Sequence, residues 1–148
     1  MNGRPLTAIH RRVAALREGR DPTLIARLPG GWAVLGEQQF LHGYSLLLPD
    51  PVASDFNALD TVRRAEVMRD AGRLGDAVLA ATGALRINYA IFGNQEPALH
   101  VHVIPRHRDE DAAMRTAQPW AYDWAGAPRF DATRDAALMA TLRKLLDA

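Results

Sequence analysis

The stretch Asn94-Gln95-Glu96-Pro97-Ala98-Leu99-His100-Val101-His102-Val103-Ile104-Pro105-Arg106 carries, in its middle, the two-residue period of a β-strand. On such a strand Leu99, Val101 and Val103 point one way, and Ala98, His100, His102 and Ile104 point the other. Imidazoles two residues apart stand about 6.5–7 Å from each other along the chain, close enough for both to address one phosphate group or one metal ion. Pro105, which has no backbone N–H, marks the expected end of the strand. A half-buried strand whose histidines merely face polar surroundings fits the same residues, so the flanking sequence has to decide.

Gly93 through Arg106 resembles the signature region of the histidine triad family of nucleotide hydrolases and transferases, whose motif is His-φ-His-φ-His-φ-φ with φ apolar. Here the motif runs Ala98-Leu99-His100-Val101-His102-Val103-Ile104, with Ala98 where the family has its first histidine. The resemblance makes His100 the nucleophile and gives His102 a phosphate-contacting role. It also places a polar phosphate-binding residue in the loop before the strand, which falls on Asn94, with Gln95 beside it. A methyl group at position 98 neither donates a hydrogen bond nor carries charge. Whatever the first histidine contributes must come from elsewhere or be forgone, so slowed or redirected chemistry is expected, with loss of catalysis as the alternative.

A chain of 148 residues with 48% apolar content reads as one domain able to bury a core. Eighteen Lys and Arg against 17 Asp and Glu leave a net charge of +1, so no global field argues for a nucleic-acid or membrane partner. There are no cysteines, which excludes disulfides, thiolate metal sites and a cysteine nucleophile. No apolar run approaches membrane-span length, and the basic N-terminus has no apolar segment behind it. The expectation is a soluble, cytoplasmic protein.

Along the chain, Thr7 can cap a first helix through Ile9, Val13 and Leu16 that ends at Gly19. A second short helix is expected through Thr23 to Leu28, broken by Pro29-Gly30-Gly31. Trp32–Leu35 and Tyr44–Leu48 read as strands joined by a hairpin through Gly36-Glu37-Gln38-Gln39; Gly43-Tyr44 before an apolar strand and Pro49 is similar to the family's pattern there. Asn57 and Asp60 resemble a helix start, and Leu59, Val62, Ala65, Ala71, Leu74 and Val78 give an apolar side to a helix of about six turns ending at Gly83. Arg63, Arg64, Glu66, Arg69, Asp70 and Arg73 fall mostly on its wet side, and Gly72 and Gly75 can let a strand approach.

Ile87 to Phe92 is a strand candidate that Gly93-Asn94 turns antiparallel to the His-x-His strand. Trp120, Tyr122 and Trp124, two apart, form a packing arm or a cover over a site, with packing favoured for such large apolar areas. Asp131 or Thr133 can start a last helix through Leu138, Leu142 and Leu145. The fold class is therefore α+β, an antiparallel sheet with a long central helix and additional N- and C-terminal helices, and the resemblance implies the same histidine triad architecture. The expected single domain has a core of about 30–107, an N-terminal helical segment 1–29, and a C-terminal arm and helix 108–148.

A neutral imidazole can attack the α-phosphorus of a nucleotide, forming a nucleotidyl-histidine that water or another acceptor then breaks. This needs one ring nitrogen bare and the other held as a donor, and it needs fixed donors aimed at the charged transition state. His102, Asn94 and Gln95 are candidates by position; Arg106 offers a permanent cation that a structural ion pair would equally well explain. Asn88 can contact a ribose or phosphate or satisfy backbone, and Glu37 is a ribose candidate through the resemblance. His42 and His107 read as surface histidines, and His10 has no assigned role.

The leading reading is a nucleotide phosphohydrolase or nucleotidyltransferase acting on a dinucleoside polyphosphate, nucleoside phosphoramidate or related conjugate, with a purine nucleotide as partner and no cofactor required. The resemblance adds a homodimer. A non-catalytic nucleotide-binding protein is the alternative. A metal protein using His100 and His102 would want a third ligand, for which His42, His107, Glu96 and Asp109 lack diagnostic spacing.

Overall fold

The computed structural model describes residues 6–147. Thr7 caps helix α1, Ala8–Arg17, as expected: its hydroxyl accepts from the His10 amide, and the His10 ring reaches back to the Thr7 amide. The next segment departs from expectation. Leu24–Leu28 is not a helix but strand β1, paired antiparallel with β2, Gly31–Leu35, across a tight turn at Pro29-Gly30. Its apolar residues fit either period over so short a run, and pairing with β2 decides the matter.

Strand β3, Ser45–Leu48, pairs antiparallel with β2; the connection between them runs from Gly36 to Tyr44 and is longer than the hairpin expected from residues 36–39. Helix α2, Thr61–Thr82, starts where the Asp60 carboxylate accepts from the Arg63 amide and ends at Gly83, whose φ of 71° suits a residue without a β-carbon. Strand β4, Arg86–Ala90, is shorter than the expected 87–92. Strand β5, Val101–Arg106, continues through Pro105, because β3 pairs only as far as Val103 and leaves Pro105 flanked by β4 alone. Helix α3, Ala136–Asp147, follows a turn in which the Asp131 carboxylate accepts from the amides of Thr133 and Arg134.

The five strands lie in the order β1-β2-β3-β5-β4, all neighbours antiparallel. The sheet is α+β with three α-helices, and it buries both faces. One face sends Ala33, Leu35, Leu47, Val101 and Val103 against Val67, Ala71, Leu74 and Val78 of α2 and Leu138, Met139, Leu142 and Leu146 of α3. The other sends Val34, Leu46, Leu48, Ala98 and Ile104 against Ile9, Val13 and Leu16 of α1, with Phe40, Tyr122 and Trp124 packed around them.

The apolar side of α2 is turned relative to the expected one. Val62 and Ala65 are exposed, whereas Asp70, expected on the wet side, is fully buried. Its carboxylate accepts from the Gly30 amide at 2.6 Å and from Arg69 and Arg73, fastening α2 to the β1–β2 turn. Gly75 does let a strand approach: a β-carbon there would collide with the Tyr89 hydroxyl of β4, while nothing crowds Gly72. In α3, Leu145 faces outward and Leu146 takes the buried place. Among the described residues, no helix is long and apolar enough to cross a membrane.

Candidate active site

His100 and His102 enter the same cavity from the same face of the sheet, as the alternation predicted. His100 lies one residue before β5 and His102 within it, with ring centroids 4.9 Å apart. Their Nδ1 atoms meet opposite kinds of partner. His100 Nδ1 is 2.7 Å from the carbonyl oxygen of Ala98. A carbonyl only accepts, so Nδ1 carries the proton and donates, and Nε2 of the neutral ring keeps its lone pair.

His102 Nδ1 is 2.7 Å from the Tyr44 hydroxyl. That hydroxyl has no other hydrogen-bond partner among the described residues, so its proton goes to His102 Nδ1 and the His102 proton resides on Nε2. Burial pushes the His102 pKa down to about 4, with repulsion from His100 adding to it when that ring is protonated, so the His102 ring is neutral near pH 7. Burial likewise raises the Tyr44 phenol well above its ordinary range, which keeps its proton in place. The pair thus presents one bare nitrogen and one N–H.

The cavity holds about 580 Å³ and is walled by the loop Phe92–Glu96, by Gln38, and by Trp120 and Trp124 of the C-terminal arm. Asn94 and Gln95 line it, exposed, with side chains that make no hydrogen bond among the described residues. Glu96 fixes this loop to the start of α1 by accepting from the Ile9 amide at 3.1 Å. Desolvation acts to raise its pKa, but hydrogen bonds from Ile9, Thr7 and Ala8 outweigh it and hold the carboxyl below its usual range.

Other expected site residues lie elsewhere. Arg106 is buried and turned into the arm: its guanidinium donates to Glu110, to Asn88 Oδ1, and to the carbonyls of Ala117, Met114 and Arg115. No donor remains for a phosphate, because an arginine has only five N–H groups. Asn88 is engaged in that network and does not line the cavity. Glu37 points outward, 3.8 Å from Arg129, and its neighbour Gln38 reaches the cavity instead. His42 is exposed and His107 half-buried, the latter donating from Nε2 to the His42 carbonyl, and His10 closes the α1 cap.

Tyr44, Gln38 and Phe92 carry no site signal in the sequence, whereas Trp120 and Trp124 belong to the segment expected to pack or to cover a site. The arm both packs and covers. Trp124 stacks on Phe40 at 3.8 Å, while Trp120 meets Phe92 edge-on at 4.7 Å over the cavity. Ala98 leaves no hole where the first histidine of the motif would be, for its methyl group is buried in the apolar cluster under α1. Among the described residues, no three His, Cys, Asp or Glu side chains converge to hold a metal ion.

No protein-family model and no curated protein matches the chain. Solved structures do. A histidine triad protein from Bradyrhizobium japonicum is 28% identical, with a TM-score of 0.71 over 95% of this chain and 98% of that one. A histidine triad protein from Marinobacter aquaeolei VT8 superposes at a TM-score of 0.72 with 20% identity, over 97% and 98% of the two chains. A hypothetical histidine triad nucleotide-binding protein from Sulfolobus tokodaii does so at 0.71 with 14% identity, over 91% and 90%.

Proposed function

We propose that this chain, whose fold is that of solved histidine triad proteins, is a nucleotide hydrolase or nucleotidyltransferase that works through a nucleotidyl-His100 intermediate. The observation that carries the reading is the 2.7 Å bond from His100 Nδ1 to the Ala98 carbonyl, which leaves Nε2 bare toward the cavity. In the first step the Nε2 lone pair forms a bond to the α-phosphorus as the bond to the leaving group breaks. In the second, water or another acceptor displaces the imidazole.

His102, neutral with its proton on Nε2, donates to the phosphoryl or leaving oxygen as charge develops there, and the Asn94 and Gln95 amides supply further donors. The Ala98 backbone still supplies the carbonyl that orients the nucleophile, so the missing first imidazole does not remove that function. The Trp120 and Trp124 faces offer a stacking surface for a purine base, and Gln38 a partner for the ribose. Neither displacement calls for a cofactor. Two copies pair through β4, an edge strand on which Tyr89, with Leu85 just ahead of it, is half exposed, in a reducing cytoplasm.

The test is to quench turnover of a labelled nucleotide substrate and locate the adduct by mass spectrometry. An acid-labile nucleotidyl group on His100 is expected. Label on another residue, or none during measured turnover, contradicts the assignment.

A further inference from the structure

The aim of the His100 ring depends on one peptide group. The Ala98 carbonyl accepts the His100 Nδ1–H at 2.7 Å, and the amide at the far side of the same peptide plane, that of Leu99, donates to the Ala53 carbonyl at 2.7 Å. The Ala98 amide in turn donates to the Glu96 carbonyl at 2.8 Å. That bond spans two residues and closes a γ-turn around Pro97, whose ring holds φ at about −65°. Glu96, Pro97 and the Ala98 carbonyl therefore move as one piece.

The Glu96 side chain holds that piece from outside. Its carboxylate accepts from the Ile9 amide at 3.1 Å, and among the described residues no other side chain of residues 93–97 bonds to another element. The first turn of α1 is an anchor with little play. The Thr7 hydroxyl accepts from the His10 amide and the His10 ring accepts from the Thr7 amide, while Ile9 is buried with Val13 and Leu16 against the sheet. A carboxylate at this point also meets the positive end of the helix. Without it the Ala98–Leu99 peptide keeps only the bond to Ala53 and can swing about it.

We propose that Glu96 is a positioning residue for the nucleophile: its side chain ties the Ala98 carbonyl to the N-terminus of α1 and so fixes the tautomer and aim of the His100 ring. The inference rests on the nucleotidyl-histidine reading of the site. Although Glu96 borders the cavity, its carboxylate is committed to α1 and acts on His100 through Pro97 and Ala98. Its charge is also felt at His100, so geometry and charge have to be told apart. Two substitutions separate them. Glutamine keeps an acceptor oxygen at the same reach without the charge, and aspartate keeps the charge but stops one methylene short of the Ile9 amide.

The experiment compares Glu96→Ala, Glu96→Gln and Glu96→Asp with the wild-type chain in two readouts. One is kcat and KM on adenosine 5′-phosphoramidate and on diadenosine triphosphate; the other is long-range proton–nitrogen spectra of the labelled imidazoles near pH 7. Glu96→Ala is expected to lower kcat about tenfold or more, with KM within about threefold of wild type. It should also give His100 a second population protonated on Nε2, while His102, held by Tyr44, keeps its single tautomer. Glu96→Gln should return both readouts to near wild type, and Glu96→Asp should resemble Glu96→Ala. An unchanged kcat and His100 tautomer in Glu96→Ala, a loss confined to thermal stability or to KM, or rescue by aspartate and not by glutamine would overturn the proposal. Label on a residue other than His100 would sink the nucleotidyl-histidine reading and leave the clamp to be judged by the spectra of the free protein. Should Glu96→Ala fail to fold, Glu96→Asp against Glu96→Gln carries the same comparison.

Discussion

The two ends of β5 share a face and a degree of burial but not a state of hydrogen bonding. His100, His102 and Arg106 are 8%, 9% and 8% exposed. At the arm end every donor of Arg106 meets a protein acceptor, and Glu110 also receives the Tyr122 hydroxyl at 2.5 Å and the His107 amide. At the other end each imidazole commits one nitrogen to the protein and leaves one for the cavity. Polar residues alone therefore do not mark the site. What distinguishes it is hydrogen-bonding capacity that the fold holds in place without satisfying.

The sharpest way to break that comparison is to remove the bare nitrogen. His100→Ala should lower turnover about a thousandfold or more while nucleotide affinity, measured by calorimetry, changes only severalfold; undiminished turnover would put the chemistry elsewhere. The opposite end should respond in stability. Arg106→Met leaves the Glu110 carboxylate buried and unpaired and should cost about 3 kcal/mol or more in urea unfolding, where a change under 1 kcal/mol would mean the network is dispensable.

Protonation sharpens the contrast further. The folded chain holds His102 near a pKa of about 4 by burial and by the proximity of His100, against 6.5 ordinarily, so between those values only the unfolded chain binds the proton. Stability should rise with pH across that window, by on the order of 3 kcal/mol from this group. In His102→Gln, urea midpoints measured at pH 4.5 and 7 should differ less than in the wild type; an equal difference would assign the acid sensitivity to other groups.

Two smaller effects concern how the imidazoles are held. Ala98→His would force an imidazole into the packed cluster under α1, costing about 2 kcal/mol with no gain in rate; a faster enzyme would show that the vacant first position limits catalysis. Tyr44→Phe frees the His102 tautomer and should reduce kcat about tenfold with KM nearly unchanged. A KM effect alone would make Tyr44 a packing residue.

The strands, the long helix and the shared face of His100 and His102 were legible because each follows from periodicity or a cap within one segment. Leu24–Leu28 reads as a helix because five residues of mixed spacing carry no period of their own, although Pro29-Gly30 ahead of Gly31–Leu35 is a hairpin signal. Asp70 reads as a wet-side residue because its partner, the Gly30 amide, is forty residues away in sequence. The same limit applied at the site. Whether Arg106 faces substrate or Glu110, and whether Trp120 covers the cavity, depends on where the irregular segment after β5 folds back. Tyr44 lay in a recognised Gly-Tyr pattern, yet its bond to His102 joins β5 to the residue just before β3 and has no local signature.

His100 and His102 carry opposite tautomers. Long-range proton–nitrogen correlation spectra of the imidazole-labelled protein near pH 7 read this directly. They should show His100 protonated on Nδ1 with Nε2 bare, and His102 protonated on Nε2. Both neutral rings in one tautomer would contradict that assignment.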